Sequence, residues 1–145
     1  MPAPSVLTLE AANALVPRLR ELMDAQTARR KDIEERIDSL TRLLGKTPGA
    51  IQVDPADPPD VREMKADIIA RLEGYQAAWA TLDDMGAVLK DPRTGLIDFY
   101  GQVDGKLVWL CWRYGEDAVG HYHQLNEGFS ARKPIEDKLR LRHLN

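Results

Sequence analysis

The sequence predicts an α+β domain: a long antiparallel helical hairpin packed on a small antiparallel β-meander and followed by a short C-terminal helix. Three observations predict it. Apolar residues recur every three or four positions through two stretches, 8–44 and 61–86, separated by a segment rich in Gly, Pro and Asp. After Met85 the apolar period shortens to two, and Asp104-Gly105 lies between two strand-like runs within 88–113. Beyond Gly115, Glu116 and Asp117 open a segment over 115–127 with helical spacing once more, acids being favoured in a first helical turn.

Composition sets the limits within which those elements must work. A chain of 145 residues builds one well-filled core and leaves little for a second, so a single domain over 1–145 is expected. With 43% hydrophobic and 30% charged residues and no apolar run near the ~20 residues of a membrane span, the protein reads as soluble. The N-terminus MPAPSVLTLEAAN lacks the basic and apolar regions of a signal peptide, and one cysteine cannot form an internal disulfide, so the cytoplasm is the expected compartment. A net charge of -3 provides no global attraction to phosphate backbones, so neither a nucleic acid nor a membrane is expected as partner.

In the first stretch Thr8 is placed to cap the free amides and Glu10 to meet the positive end of the helix dipole. Pro17 lacks an amide donor and crowds the preceding turn, which predicts a kink near Val16. Leu19, Leu22, Met23, Ile33, Ile37, Leu40 and Leu44 then form one stripe, interrupted at Gln26 and at the cluster Arg29, Arg30 and Lys31. The cluster is read as a solvated basic turn beside Asp32 and Glu34, and the middle of this helix either packs less tightly or meets a polar partner. Residues 45–60 are a loop. Asp60 and Glu63 form a cap-like start to the second helix, whose stripe is Val61, Met64, Ile68, Leu72, Tyr75, Trp79 and Leu82, with Tyr75 and Trp79 taken as core.

The meander carries the most detailed expectation. If Asp104 and Gly105 are a two-residue turn, Gln102 faces Leu107, Tyr100 faces Trp109 and Asp98 faces Cys111, all on one side of the sheet. The other side then carries Ile97, Phe99, Val108, Leu110 and Trp112, an apolar surface; a bulge at Gly101 would shift this register. Cys111 on a strand is expected to be a small buried hydrophobe rather than a nucleophile.

On the predicted helix 115–127, Glu116, His123 and Glu127 fall within ~40° of one another at about 100° per residue. Seven residues advance a helix by about 10 Å, so these three cannot all hold one ion. His123 and Glu127 are therefore the candidate metal pair, with a further donor from Asp98, Cys111 or His121 and a divalent transition metal as the cofactor they would suit. Ala118, Val119, Tyr122 and Leu125 form the apolar side of that helix, so the same acids also fit an ordinary solvated face. Residues 128–145 are read as a loop and tail, with Phe129 as an anchor and Arg132 pairing with Asp98, Glu116 or Glu127.

Several short motifs together carry a resemblance: Thr8-Leu9-Glu10, Ala12-Asn13, Leu15 and Pro17-Arg18-Leu19 early on, then Lys90-Asp91, Gly95-Leu96, Asp98-Phe99, Leu110-Cys111-Trp112, Gly115-Glu116, His123, Gly128-Phe129, Arg132 and Pro134-Ile135. On these the chain resembles the uncharacterised prokaryotic family called domain of unknown function 2203, over nearly its whole length. The resemblance implies one domain and no reaction. It raises Glu10, Asn13, Asp98, Cys111, Glu116, His123, Glu127 and Arg132 as candidates, while Ala11 and Gln124 stand where acids are expected.

Two functions follow as expectations. One is an oligomerising helical-hairpin interaction module, the partner being a second copy or another helical protein. The other is a metal or small polar ligand held where the C-terminal helix meets the sheet, with Asp98, Cys111, Glu116 and Arg132 as ligand-binding residues and His123 with Glu127 on the metal. No residue is assigned to catalysis, and an enzyme is the less favoured class.

Overall fold

The computed structural model describes residues 5–136, so the expectation for the tail beyond them lies outside the described residues. The chain divides into two compact units: one takes the residues up to Met23 and again from Ala80, and the other is Asp24–Trp79. The elements are helices and a five-stranded antiparallel sheet, an α+β composition. No helix among the described residues is long and apolar enough to cross a membrane.

The first unit begins with α1, Leu9–Ala14, capped as its sequence predicts: the Thr8 hydroxyl accepts the Ala11 amide at 3.0 Å. The break associated with Pro17 falls at Leu15, and α2 starts at Val16. This places proline in the first turn of the new helix, where its missing amide leaves no intrahelical bond unmade. Leu9, Ala12, Val16, Leu19 and Met23 are the buried positions, at the spacing of one helical face.

In the second unit, α2 (Val16–Leu44) meets α3 (Pro59–Ala78) through pairs whose numbers rise in one helix as they fall in the other: Gln26 with Tyr75, Asp32 with Arg71, Arg36 with Asp67. Leu40, Val61 and Ile68 are its buried cluster, flanked by Ile37, Leu44, Ile51, Met64 and Leu72. The helix expected over 61–86 is divided: α3 ends at Ala78 and a single turn, α4, covers Thr81–Asp84. The Tyr75 carbonyl, which a continuing helix would offer to the Trp79 amide, accepts Gln26 Nε2 at 2.8 Å, and the Trp79 amide turns to Gln76 instead. Tyr75 and Trp79 are half-buried rather than core, their rings edge to face at 5.7 Å.

The sheet runs in chain order: β1 (Ala87–Asp91), β2 (Leu96–Val103), β3 (Lys106–Arg113), β4 (His121–His123) and β5 (Lys133–Pro134). Asp104 and Gly105 both have positive φ, 52° and 79°, the conformation a two-residue hairpin turn requires. The register follows from that turn: Gln102 with Leu107, Tyr100 with Trp109 and Asp98 with Cys111, with no shift at Gly101. Ile97, Phe99, Val108, Leu110 and Trp112 are at most 1% exposed, which fills one face of the hairpin.

The helix expected over 115–127 is absent; turns and bends there flank the short strand β4. The backbone groups of this segment find other partners. Val119 exchanges both of its groups with the Asn13 side chain, Gly120 accepts the Ile135 amide, and 121–123 pair with β3 on one side and β5 on the other. Local spacing favours a helix here, but tertiary partners satisfy the backbone better.

Candidate functional site

Antiparallel pairing puts opposed side chains on the same face, so the register that sets Asp98 against Cys111 also sets Cys111 against His121 and Trp109 against His123. One face of three adjacent strands thus gathers a carboxyl, a thiol and two imidazoles. Asp98, Cys111 and His123 are at most 3% exposed, and one potential donor atom from each lies within 4.8 Å of the others. Such a group is costly to bury unless its members are paired or hold a cation.

The pairing is incomplete. His123 Nδ1 lies 3.0 Å from the Gln124 carbonyl, which can only accept, so that nitrogen carries hydrogen and Nε2 faces Asp98 Oδ2 at 2.9 Å. One proton serves that second contact, whichever partner holds it. The other carboxyl oxygen, Asp98 Oδ1, is buried without a hydrogen-bond partner among the described residues. Burial pushes the Asp98 carboxyl above its ordinary value, with the His123 charge and hydrogen bond, and then the neighbouring Cys111 thiol, acting the other way. The Cys111 thiol is pushed up to about 12, by burial first and by the Asp98 charge second. Both shifts favour the protonated acids over the bare anions.

The segment after β4 covers the face. The ring centre of Phe129, in the 3-10 turn Phe129–Ala131, lies 4.2 Å from the Arg132 guanidinium carbon, a cation–π contact. Arg132 donates twice to the Glu116 carboxylate at 2.9 Å and lies 3.8 Å from Cys111 Sγ. This fork is the bidentate geometry that favours arginine over lysine. Burial works to raise the Glu116 carboxyl, but Arg132 and the Arg113 amide outweigh it and hold the group below its ordinary value. His121 Nδ1 sits 3.7 Å from Glu116, beyond hydrogen-bond reach; burial and then Arg132 hold this imidazole below its ordinary value, with Glu116 opposing.

A cavity of about 210 Å³ opens against the three donors, with Lys90, Leu96, Glu127, Gly128 and Phe129 forming the rest of its wall. Lys90 stands at a bulge in β1: Leu89 and Asp91 pair with the consecutive residues Ile97 and Leu96, and Lys90 is the extra residue between them. Its ammonium lies 3.7 Å from the centre of the Trp109 ring.

Sequence spacing pairs His123 with Glu127, whereas the donors that converge on His123 are Asp98 and Cys111. His123 and Glu127 do not share a helix face, because there is no helix. Glu127 Oε1 accepts the Gln124 amide at 3.2 Å, and the residue stands at the cavity wall near the donors. Asp98 and Cys111 join His123; Glu116 and Arg132 form an ion pair behind Cys111. Of the residues raised by resemblance, Asn13 holds Val119 in place and Glu10 is exposed in the first turn of α1. Lys90 escapes sequence reasoning as a wall residue, since its segment reads as a turn and nothing local signals the bulge.

The family model described as an uncharacterized conserved protein, DUF2203, matches residues 5–135, and the chain belongs to that family. No curated protein and no solved structure matches the chain.

Proposed function

We propose that this member of the family binds a divalent transition metal on the polar face of its sheet, through Asp98, Cys111 and His123. The observation that carries the proposal is the convergence of the three donors within 4.8 Å while Asp98 Oδ1 stays buried and unpartnered. A buried acceptor without a donor costs on the order of 1–3 kcal/mol, and a cation at that position removes the cost. Sulfur, nitrogen and oxygen donors together suit zinc and its neighbours rather than magnesium or calcium, which take oxygen sets.

The contact between His123 Nδ1 and the Gln124 carbonyl supports the same conclusion. Metal-ligating histidines commonly donate their second ring nitrogen to a carbonyl or carboxylate, which fixes the ring and presents the other nitrogen, here Nε2 beside Asp98 Oδ2, as the ligand atom. A dication would displace the protons of the thiol and the carboxyl, and two anionic donors would then balance its charge. Zinc titrated into chelator-treated protein is expected to bind with one-to-one stoichiometry. His123→Ala and Asp98→Asn are expected to weaken binding by about tenfold or more, and Cys111→Ser to abolish the sulfur-to-metal charge-transfer band of the cobalt-loaded protein. No uptake by the wild type, or uptake unchanged in His123→Ala, overturns the proposal.

A second proposal, a homo-oligomer formed through the helical hairpin, draws on Leu43 and Val53, 47% and 45% exposed in the second unit, and on half-buried Tyr75 and Trp79. Light scattering over a wide concentration range tests it, and a strict monomer removes it.

A further inference from the structure

The metal proposed above has three protein donors among the described residues, and a zinc-like ion held by three side chains keeps a fourth position for water or an exchangeable ligand. That position has a defined neighbourhood, because the donors line the cavity of about 210 Å³ beneath the Phe129 turn. Such a volume lies below the usual range for drug-sized ligands, about 300–1,000 Å³, and fits a molecule of a few heavy atoms.

Charge and wall chemistry narrow the class. The ion and its two anionic donors cancel, so the charges that remain at the wall are those of Lys90 and Glu127. The Lys90 ammonium is held over the Trp109 ring, which orients it without neutralising it. Glu127 has one oxygen committed to the Gln124 amide; it is exposed, as Lys90 is, so water screens both charges and Lys90 contributes as a hydrogen-bond donor at the wall. Arg132 is engaged by Glu116 and by Cys111 Sγ and is not part of the cavity wall. One ammonium beside a metal suits a single negative charge, whereas a phosphate dianion calls for more donors. Leu96 and Phe129 supply an apolar wall.

We infer that the exchangeable position of this metal takes a small monocarboxylate, its oxygens on the ion and Lys90 and its hydrocarbon part against Leu96 and Phe129. The inference rests on the proposed metal site, and the test separates the two. Cobalt-loaded protein is titrated with sodium acetate while its visible spectrum is followed, beside the Lys90→Met variant and a parallel titration with inorganic phosphate. The expected result is a saturable spectral change with acetate, weakened about tenfold in Lys90→Met, with phosphate weaker than acetate. Lys90 is exposed, and circular dichroism with the metal stoichiometry verifies that its variant is folded and loaded. A cobalt spectrum that acetate leaves unchanged overturns the inference and leaves the metal site standing. Acetate affinity equal in the variant, or phosphate binding the tighter, overturns it as well. Failure to load cobalt at all removes both.

Discussion

Asp98 is the residue at which stability and the proposed function oppose each other. Its folded-state carboxyl lies above the ordinary value of 3.8 because burial penalises the charge, so the folded protein binds more protons than the unfolded chain does. The sign follows: in metal-free protein this group's contribution to stability is intact below 3.8 and is lost as pH rises through the folded-state value. Asp98→Asn removes the charge and offers His123 an amide donor. It is expected to raise the melting temperature of metal-free protein at neutral pH by a few degrees, on the order of 1 kcal/mol, while it impairs metal uptake. A lower melting temperature in metal-free buffer would contradict this account. Glu116 has the opposite sign. Held below its ordinary value of 4.5, it contributes stability above that value and loses it as pH falls through the folded-state one. Glu116→Gln should therefore destabilise at neutral pH by about 1–2 kcal/mol, for the loss of two charge-assisted bonds to Arg132. Melting curves taken down a pH series should show the gap between wild type and variant closing in acid.

At the scale of elements, two glycines with ordinary φ make opposite predictions. Gly101 in β2 meets no conformational demand; it is there for space. A Cβ at that position would stand 2.5 Å from Leu110 Cγ, and Leu110 is fully buried with no room to yield. Gly101→Ala is expected to destabilise by about 1–3 kcal/mol, read as a drop in denaturation midpoint, and to disturb the hairpin that sets Asp98 against Cys111. Gly74 lies inside α3, and a Cβ there would meet nothing within 4 Å. At this position alanine should stabilise by about 0.5–1 kcal/mol, because it reduces the freedom of the unfolded chain without strain. If both substitutions moved the midpoint in the same direction, one of these two accounts would be wrong.

For the whole molecule, the division into two units matters because the three donors come from one of them. Asp98, Cys111 and His123 all follow Ala80, whereas the Leu40, Val61 and Ile68 cluster lies in Asp24–Trp79. Leu40→Ala opens a void in that cluster and is expected to cost about 2–4 kcal/mol. Below its melting temperature the variant should still take up zinc with wild-type stoichiometry and affinity, as calorimetry would read. The ion pairs joining Asp32, Arg36, Asp67 and Arg71 have side chains about 40% exposed, so added salt should change the stability of this unit only slightly.

Local chemistry was enough to determine some of this protein from sequence. Thr8 caps because its hydroxyl reaches an amide three residues on, and Asp104-Gly105 turns because those residues tolerate positive φ; the turn then sets Asp98 beside Cys111 by counting. The segment from Gly115 to Glu127 was not legible, since its helical spacing is real but weak. Asn13, more than a hundred residues away in sequence, and two neighbouring strands offered its backbone better partners. His123 thus reached Asp98 and Cys111 by strand pairing rather than by helix periodicity, and Lys90 reached the cavity through a bulge that no local pattern announces. Periodicity and turn chemistry act between near neighbours and are written in the sequence, whereas competition for backbone hydrogen bonds is settled only when distant segments meet.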